Sequence, residues 1–76
     1  MRIVLKNMGN LIKERRKVLG LIQAELAKIS GISTRTIQLI EQGKMNPSLE
    51  TLVKVIVPLA VTIELVLKDT SKSNYL

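Results

Sequence analysis

Apolar positions recur along this chain at helical spacing four times before the period changes. Met8, Leu11, Ile12, Val18 and Leu19 line one side of a helix predicted over about residues 8–19, and Gly20 ends it where a left-handed residue is wanted. Ile22, Leu26 and Ile29 fall at i, i+4 and i+7 around a short second helix over 23–30, which Gly31 breaks. Ser33 then caps a third helix over 34–42, with Ile37 and Ile40 inward and Gly43 closing it. Lys44-Met45-Asn46-Pro47 reads as a loop. Ser48 caps a fourth helix whose apolar face is Leu49, Leu52, Val53 and Ile56, and Pro58 ends or kinks it within its last turn.

From Val61 the period becomes two. Val61, Ile63, Leu65 and Leu67 fall on one face, with Thr62, Glu64, Val66 and Lys68 on the other, which predicts a strand over about 61–68. Residues 69–76 are polar and read as a loose tail. The opening Arg2-Ile3-Val4-Leu5 is β-like but too short to assign. The expected fold is mainly α: four helices and a C-terminal β-strand in one domain over 1–76, with no internal repeat.

Length and composition narrow the function. A chain of 76 residues holds one small core, and at this size only about 60% of the unfolded surface is buried, so a partner subunit would help. The net charge is +6. Nine basic and three acidic groups lie in residues 1–46, and the remaining residues balance three against three. An anionic partner should therefore dock on the first 46 residues. With no Cys and no His, thiolate and imidazole catalysis, disulfides and the usual zinc sites are excluded, and the six carboxylates are scattered singly. Four glycines form no phosphate loop. The longest apolar run, Val55 to Val61, is too short for a bilayer, and no signal peptide is visible. The expectation is a cytoplasmic binding protein with no enzymatic activity, cofactor, metal or membrane partner.

Two short helices separated by Gly31 have the length of a helix-turn-helix. Ala27 is small enough to let the third helix cross closely, and Gly31 sits where the turn needs positive φ. Gln23-Ala24-Glu25-Leu26-Ala27, Gly31-Ile32-Ser33, Thr36-Ile37, Ile40-Glu41-Gln42-Gly43-Lys44 and Asn46-Pro47-Ser48-Leu49-Glu50-Thr51-Leu52 resemble the phage-repressor/Cro-like (Xre) DNA-binding family. The resemblance runs from about Met8 to Lys68. A strand straight after the fourth helix is similar to the HipB-type antitoxins and their autoregulatory relatives. Departures are Ile22, where the family usually has a Thr or Ser cap, Ala60, where relatives often have Gly, and Pro58, where a helix former is usual.

The third helix is the expected reader. Its outward positions are Thr34, Arg35, Gln38 and Leu39: Arg35 suits guanine, Gln38 adenine, and Thr34 or Leu39 a thymine methyl. These positions also match the base-reading ones of the phage repressors. The resemblance implies a phosphate contact at Gln23, at a helix N-terminus, and Lys44 and Asn46, which follow the reader, are expected to grip the other strand, with Thr36 a further phosphate-binding candidate. It also implies that Arg16 pairs with Glu41 as a structural clamp that touches phosphate at its edge. Lys13, Arg15 and Lys17 read as a solvated basic face that steers DNA.

The apolar face Val61/Ile63/Leu65/Leu67 needs a cover. Pairing with the same strand of a second subunit would set two recognition helices about one DNA turn apart, ~34 Å. The competing reading packs it on its own helices or against Ile3–Leu5. Together these features imply a dimeric, sequence-specific repressor on a pseudo-palindromic duplex operator. The alternative is an antitoxin that holds a toxin protein inactive and represses its own operon.

Overall fold

The computed structural model describes residues 1–67. The first helix, α1 (Arg2–Val18), starts earlier than the apolar pattern from Met8 suggested. The same helical spacing extends back to Leu5, whose N–H closes the first turn onto the Met1 carbonyl at 3.0 Å. The opening residues are thus helical, not β-like, which removes Ile3–Leu5 as a strand partner for the C-terminal segment.

The inner row of α1 is also displaced. Gly9, Ile12 and Arg16 are buried and Met8 is half-buried, while Leu11 and Val18 are 57% and 73% exposed and Leu19 is exposed as well. An apolar-only pattern misses this row because one member has no side chain and another is charged. Gly9 is required by close approach: a Cβ there would lie 2.3 Å from the Ile40 carbonyl oxygen and 2.7 Å from that of Glu41.

Helix α2 (Gln23–Ser30) has no side-chain cap at Ile22; instead the Ile22 N–H donates to Glu25 Oε1 at 2.9 Å. Leu26 is fully buried and Ala27 packs on the core, but Ile22 and Ile29 point outward. Helix α3 (Thr34–Glu41) presents Ile37 and Ile40 inward, both fully buried, and packs against α1 and α2. Helix α4 (Leu49–Ile56) is capped by Ser48, whose Oγ accepts from the Thr51 N–H at 3.1 Å. Its inner residues are Val55 and Ile56, with Leu52 partly covered; Leu49, expected inside, is exposed.

Pro58 converts the chain into a 3-10 turn, Val57–Leu59, which drives Leu59 fully into the core. Ala60 follows in the left-handed region at φ 58°. The core is thus Ile12, Leu26, Ile37, Ile40, Val55, Ile56 and Leu59. Each such aliphatic side chain contributes about 1.5–3 kcal/mol on burial.

Residues 61–67 form neither helix nor strand, and no strand occurs among the described residues. A strand needs a ladder partner, and every other β-like segment of the described chain is helical. Val61 packs on the core, Ile63 borders an apolar groove with Val4 and Leu11, and Leu65 and Leu67 stand in water at 99% and 96% exposure. Lys68 and the tail 69–76 lie outside the described residues. Among those described, no helix is long and apolar enough to cross a membrane.

Candidate nucleic-acid interface

Gly31, in the left-handed conformation at φ 73°, donates its N–H to the Ala27 carbonyl at 3.0 Å and turns the chain out of α2. Two residues on, Ser33 Oγ accepts from the Thr36 N–H at 3.1 Å, and the Ser33 hydroxyl donates to Thr36 Oγ1 at 2.9 Å. This double link fixes the first turn of α3. Because Thr36 accepts there, its hydroxyl keeps its own proton as a donor.

With Ile37 and Ile40 locked inside, the opposite row of α3 faces outward. Arg35 is exposed; Thr34, Gln38 and Leu39 are half-exposed. A guanidinium, a carboxamide, a hydroxyl and two apolar tips on one rigid turn-anchored helix suit the donor, acceptor and methyl pattern of a major groove.

Behind this row lies a charged network. Arg16 meets Glu41 as a fork, Nε to Oε2 at 2.8 Å and Nη2 to Oε1 at 2.9 Å, and its Nη1 donates to the Leu21 carbonyl at 2.8 Å. Side-chain exposure is only 10% for Arg16 and 3% for Glu41. The hydrogen bonds that Arg16 donates to Glu41 raise the Arg16 pKa above its ordinary value, against the opposing effect of burial. Gln23 joins the same group, donating Nε2 to Glu41 Oε1 at 3.1 Å. One amide hydrogen of Gln23 is thereby held by Glu41 and the other remains to donate. Lys44 and Asn46 are exposed in the connection from α3 to α4 and line one cleft.

The structure therefore joins Arg16, Gln23 and Glu41, ties Thr36 to Ser33, and places Lys44 with Asn46. It does not bring Val61, Ile63, Leu65 and Leu67 to one covered face. Sequence reasoning missed the Gln23–Glu41 bond, and it treated Arg15 as solvated. Arg15 Nε donates to the Leu59 carbonyl at 2.8 Å, pinning α1 to the 3-10 turn. No side-chain pattern signals that bond, because its acceptor is backbone. Gly9 did carry a signal: a glycine inside a helix costs about 1 kcal/mol relative to alanine and so marks a close approach.

Residues 12–66 match the Helix-turn-helix family. An uncharacterised HTH-type transcriptional regulator of Haemophilus influenzae is 44% identical over 59 residues, which cover 74% of this chain and 60% of that protein. One from Methanothermobacter thermautotrophicus is 50% identical over 42 residues, 55% of this chain and 61% of that one. The ImmF control region 10 kDa protein of Bacillus phage phi105 is 42% identical over 50 residues, 66% of this chain and 56% of the phage protein. The chain spans about three-fifths of the length of these relatives.

Proposed function

The chain belongs to the Helix-turn-helix family, and from that premise we propose that it is a transcriptional regulator, a dimeric repressor that binds a pseudo-palindromic operator. The observation that carries this reading is the outward row of α3, Thr34, Arg35, Gln38 and Leu39, on a helix whose inner residues are fully buried. Arg35 pairs bidentately with guanine O6 and N7, Gln38 with adenine, and Thr34 and Leu39 meet thymine methyls. Gln23, through its second amide hydrogen, and Thr36, Lys44 and Asn46 donate to phosphate oxygens. Arg16 holds α1 on α3 through Glu41 and offers only its edge to the backbone. The named roles of the relatives, transcriptional regulators and a phage control-region protein, support the same reading. The antitoxin alternative has no comparable support.

The dimer rests on residues 61–67. Ile63, Leu65, Val66 and Leu67 are between 46% and 99% exposed in a single subunit, an apolar run that a second copy would cover. Pairing this segment with its twin would supply a ladder partner that the described residues of one chain do not provide.

Gel-shift titration on the DNA upstream of its own coding sequence tests the reading. If a dimer neutralises roughly six to eight phosphates, log affinity falls against log salt with a slope of about −5 to −7. Equal binding to upstream and random DNA, or binding flat with salt, would refute it.

A further inference from the structure

We infer that the N-terminal half of α1 carries a second phosphate-binding track, in which Arg2, Lys6 and Lys13 join Lys44 to hold duplex backbone beside the groove that α3 reads. The inference rests on the DNA-binding reading above and adds a surface that the recognition helix does not itself provide.

Arg2, Lys6 and Lys13 stand at i, i+4 and i+11 of α1, which places them on one stripe of the helix. Two glycines bring that stripe against the end of α3. Gly9 lets α1 touch the last α3 carbonyls, and a Cβ at Gly43 would lie 2.9 Å from Lys6 Cα. Two adjoining open clefts result, both lined by Lys6, Gln42 and Lys44. One also takes Arg2, and the other takes Lys13.

Gln42 ties these clefts to the reading row. It lies seven residues beyond Arg35 on the same helical row, about 10 Å along the axis. A major groove is about 12 Å wide, so a cation at that remove from a base-reading side chain reaches the groove wall, where the phosphates are. Among the described residues these cations also have no acidic partner. The two ion pairs among the described residues are Arg16–Glu41 and Lys54–Glu50, so none of the four has a carboxylate within 4.0 Å there. Glu41 borders one cleft, but Arg16 and Gln23 already occupy both its oxygens. Four cations gathered on two clefts, none paired with a carboxylate among the described residues, form a positive potential suited to an anionic strand. The alternative is that Lys6 only complements the negative end of the α3 dipole.

Lys6→Gln and Lys54→Gln each remove one exposed charge, and only the first lies on the track. Binding of wild type and both variants is measured by anisotropy on the upstream duplex and on a random duplex, from 50 to 200 mM salt. Lys6→Gln should make the log–log salt slope shallower by about 0.9 for each bound subunit, equally on both duplexes. Lys54→Gln should leave the slope at the wild-type value, and circular dichroism should show both variants as helical as wild type. Adding Arg2→Gln to Lys6→Gln should flatten the slope by a further similar step. A steep wild-type slope that Lys6→Gln leaves unchanged overturns the track while the regulator reading stands; a melting-temperature drop in its place assigns Lys6 to the helix dipole. A wild-type chain with no salt-dependent duplex binding overturns both.

Discussion

Arg16 commits three of its five donors inside the protein, two to Glu41 and one to the Leu21 carbonyl. A cation so enclosed depends on its partner, since removing one member of a buried pair leaves an uncompensated charge at about 3–5 kcal/mol. Glu41→Ala should therefore lower stability by about 3 kcal/mol, and by roughly 10–20 °C in melting temperature for a domain this small. It also frees the Gln23 carboxamide, so phosphate contact at α2 should weaken in any variant that stays folded. The pH dependence has a definite sign. A pKa raised on folding gives stability that is complete below the unfolded value and is lost only as pH climbs through the folded one. For Arg16 that window lies above the ordinary arginine range. The difference in melting temperature between wild type and Glu41→Ala should hence stay constant from about pH 7 to 10. A gap that closes across that span would contradict the pairing.

At the scale of elements, the helices meet through positions that carry no apolar side chain. Gly9→Ala should improve the intrinsic propensity of α1 by about 1 kcal/mol, yet it puts a methyl into two α3 carbonyls. Thermal melting should show a net loss of about 1–3 kcal/mol, as in other overpacked contacts; a stabilised variant would mean that α1 does not sit this closely on α3. Ala60→Gly should do the opposite. Ala60 adopts φ 58°, which costs an L-residue about 1–2 kcal/mol, so glycine there should raise the melting temperature. These two positions also mark what could and could not be read from the chain. Breakers and caps were legible because their chemistry is local: Gly20, Gly31, Ser33 and Ser48 bound the helices where expected, and Ile37 with Ile40 fixed the inner face of α3. Inner rows that mix in a glycine or a paired charge are not, and for that reason the apolar pattern points Leu11 and Val18 inward although both are exposed. The burial of Leu59 beyond Pro58 is hidden because a 3-10 turn changes the period. Within the candidate site, the outward residues of α3 followed from its inward pair. The bonds of Gln23 to Glu41 and of Arg15 to a carbonyl arise only when distant elements pack.

At the scale of the whole molecule, residues 61–67 present Ile63, Leu65, Val66 and Leu67 to solvent. The alternation of Val61, Ile63, Leu65 and Leu67 predicts a strand, yet the described residues of one chain offer it no ladder, and Leu65 remains 99% exposed. On the dimer reading, Leu65→Lys buries an unpaired charge between subunits, which should weaken association by several kcal/mol while the helical body melts nearly as before. Sedimentation at micromolar concentration should show wild-type dimers and mutant monomers; a monomeric wild type or a fully dimeric mutant would contradict it. Loss of the dimer should also weaken operator binding steeply, because the second head no longer benefits from high effective concentration. Operator recognition rests on α3 reading base sequence, and one titration tests that directly. Wild type and Arg35→Ala are compared by anisotropy on the upstream duplex and on a scrambled duplex of equal length, at one salt concentration. The prediction is that Arg35→Ala loses about 1–3 kcal/mol on the upstream duplex and almost nothing on the scrambled one. Equal losses on both, or no wild-type preference between them, would mean that α3 is not the reader.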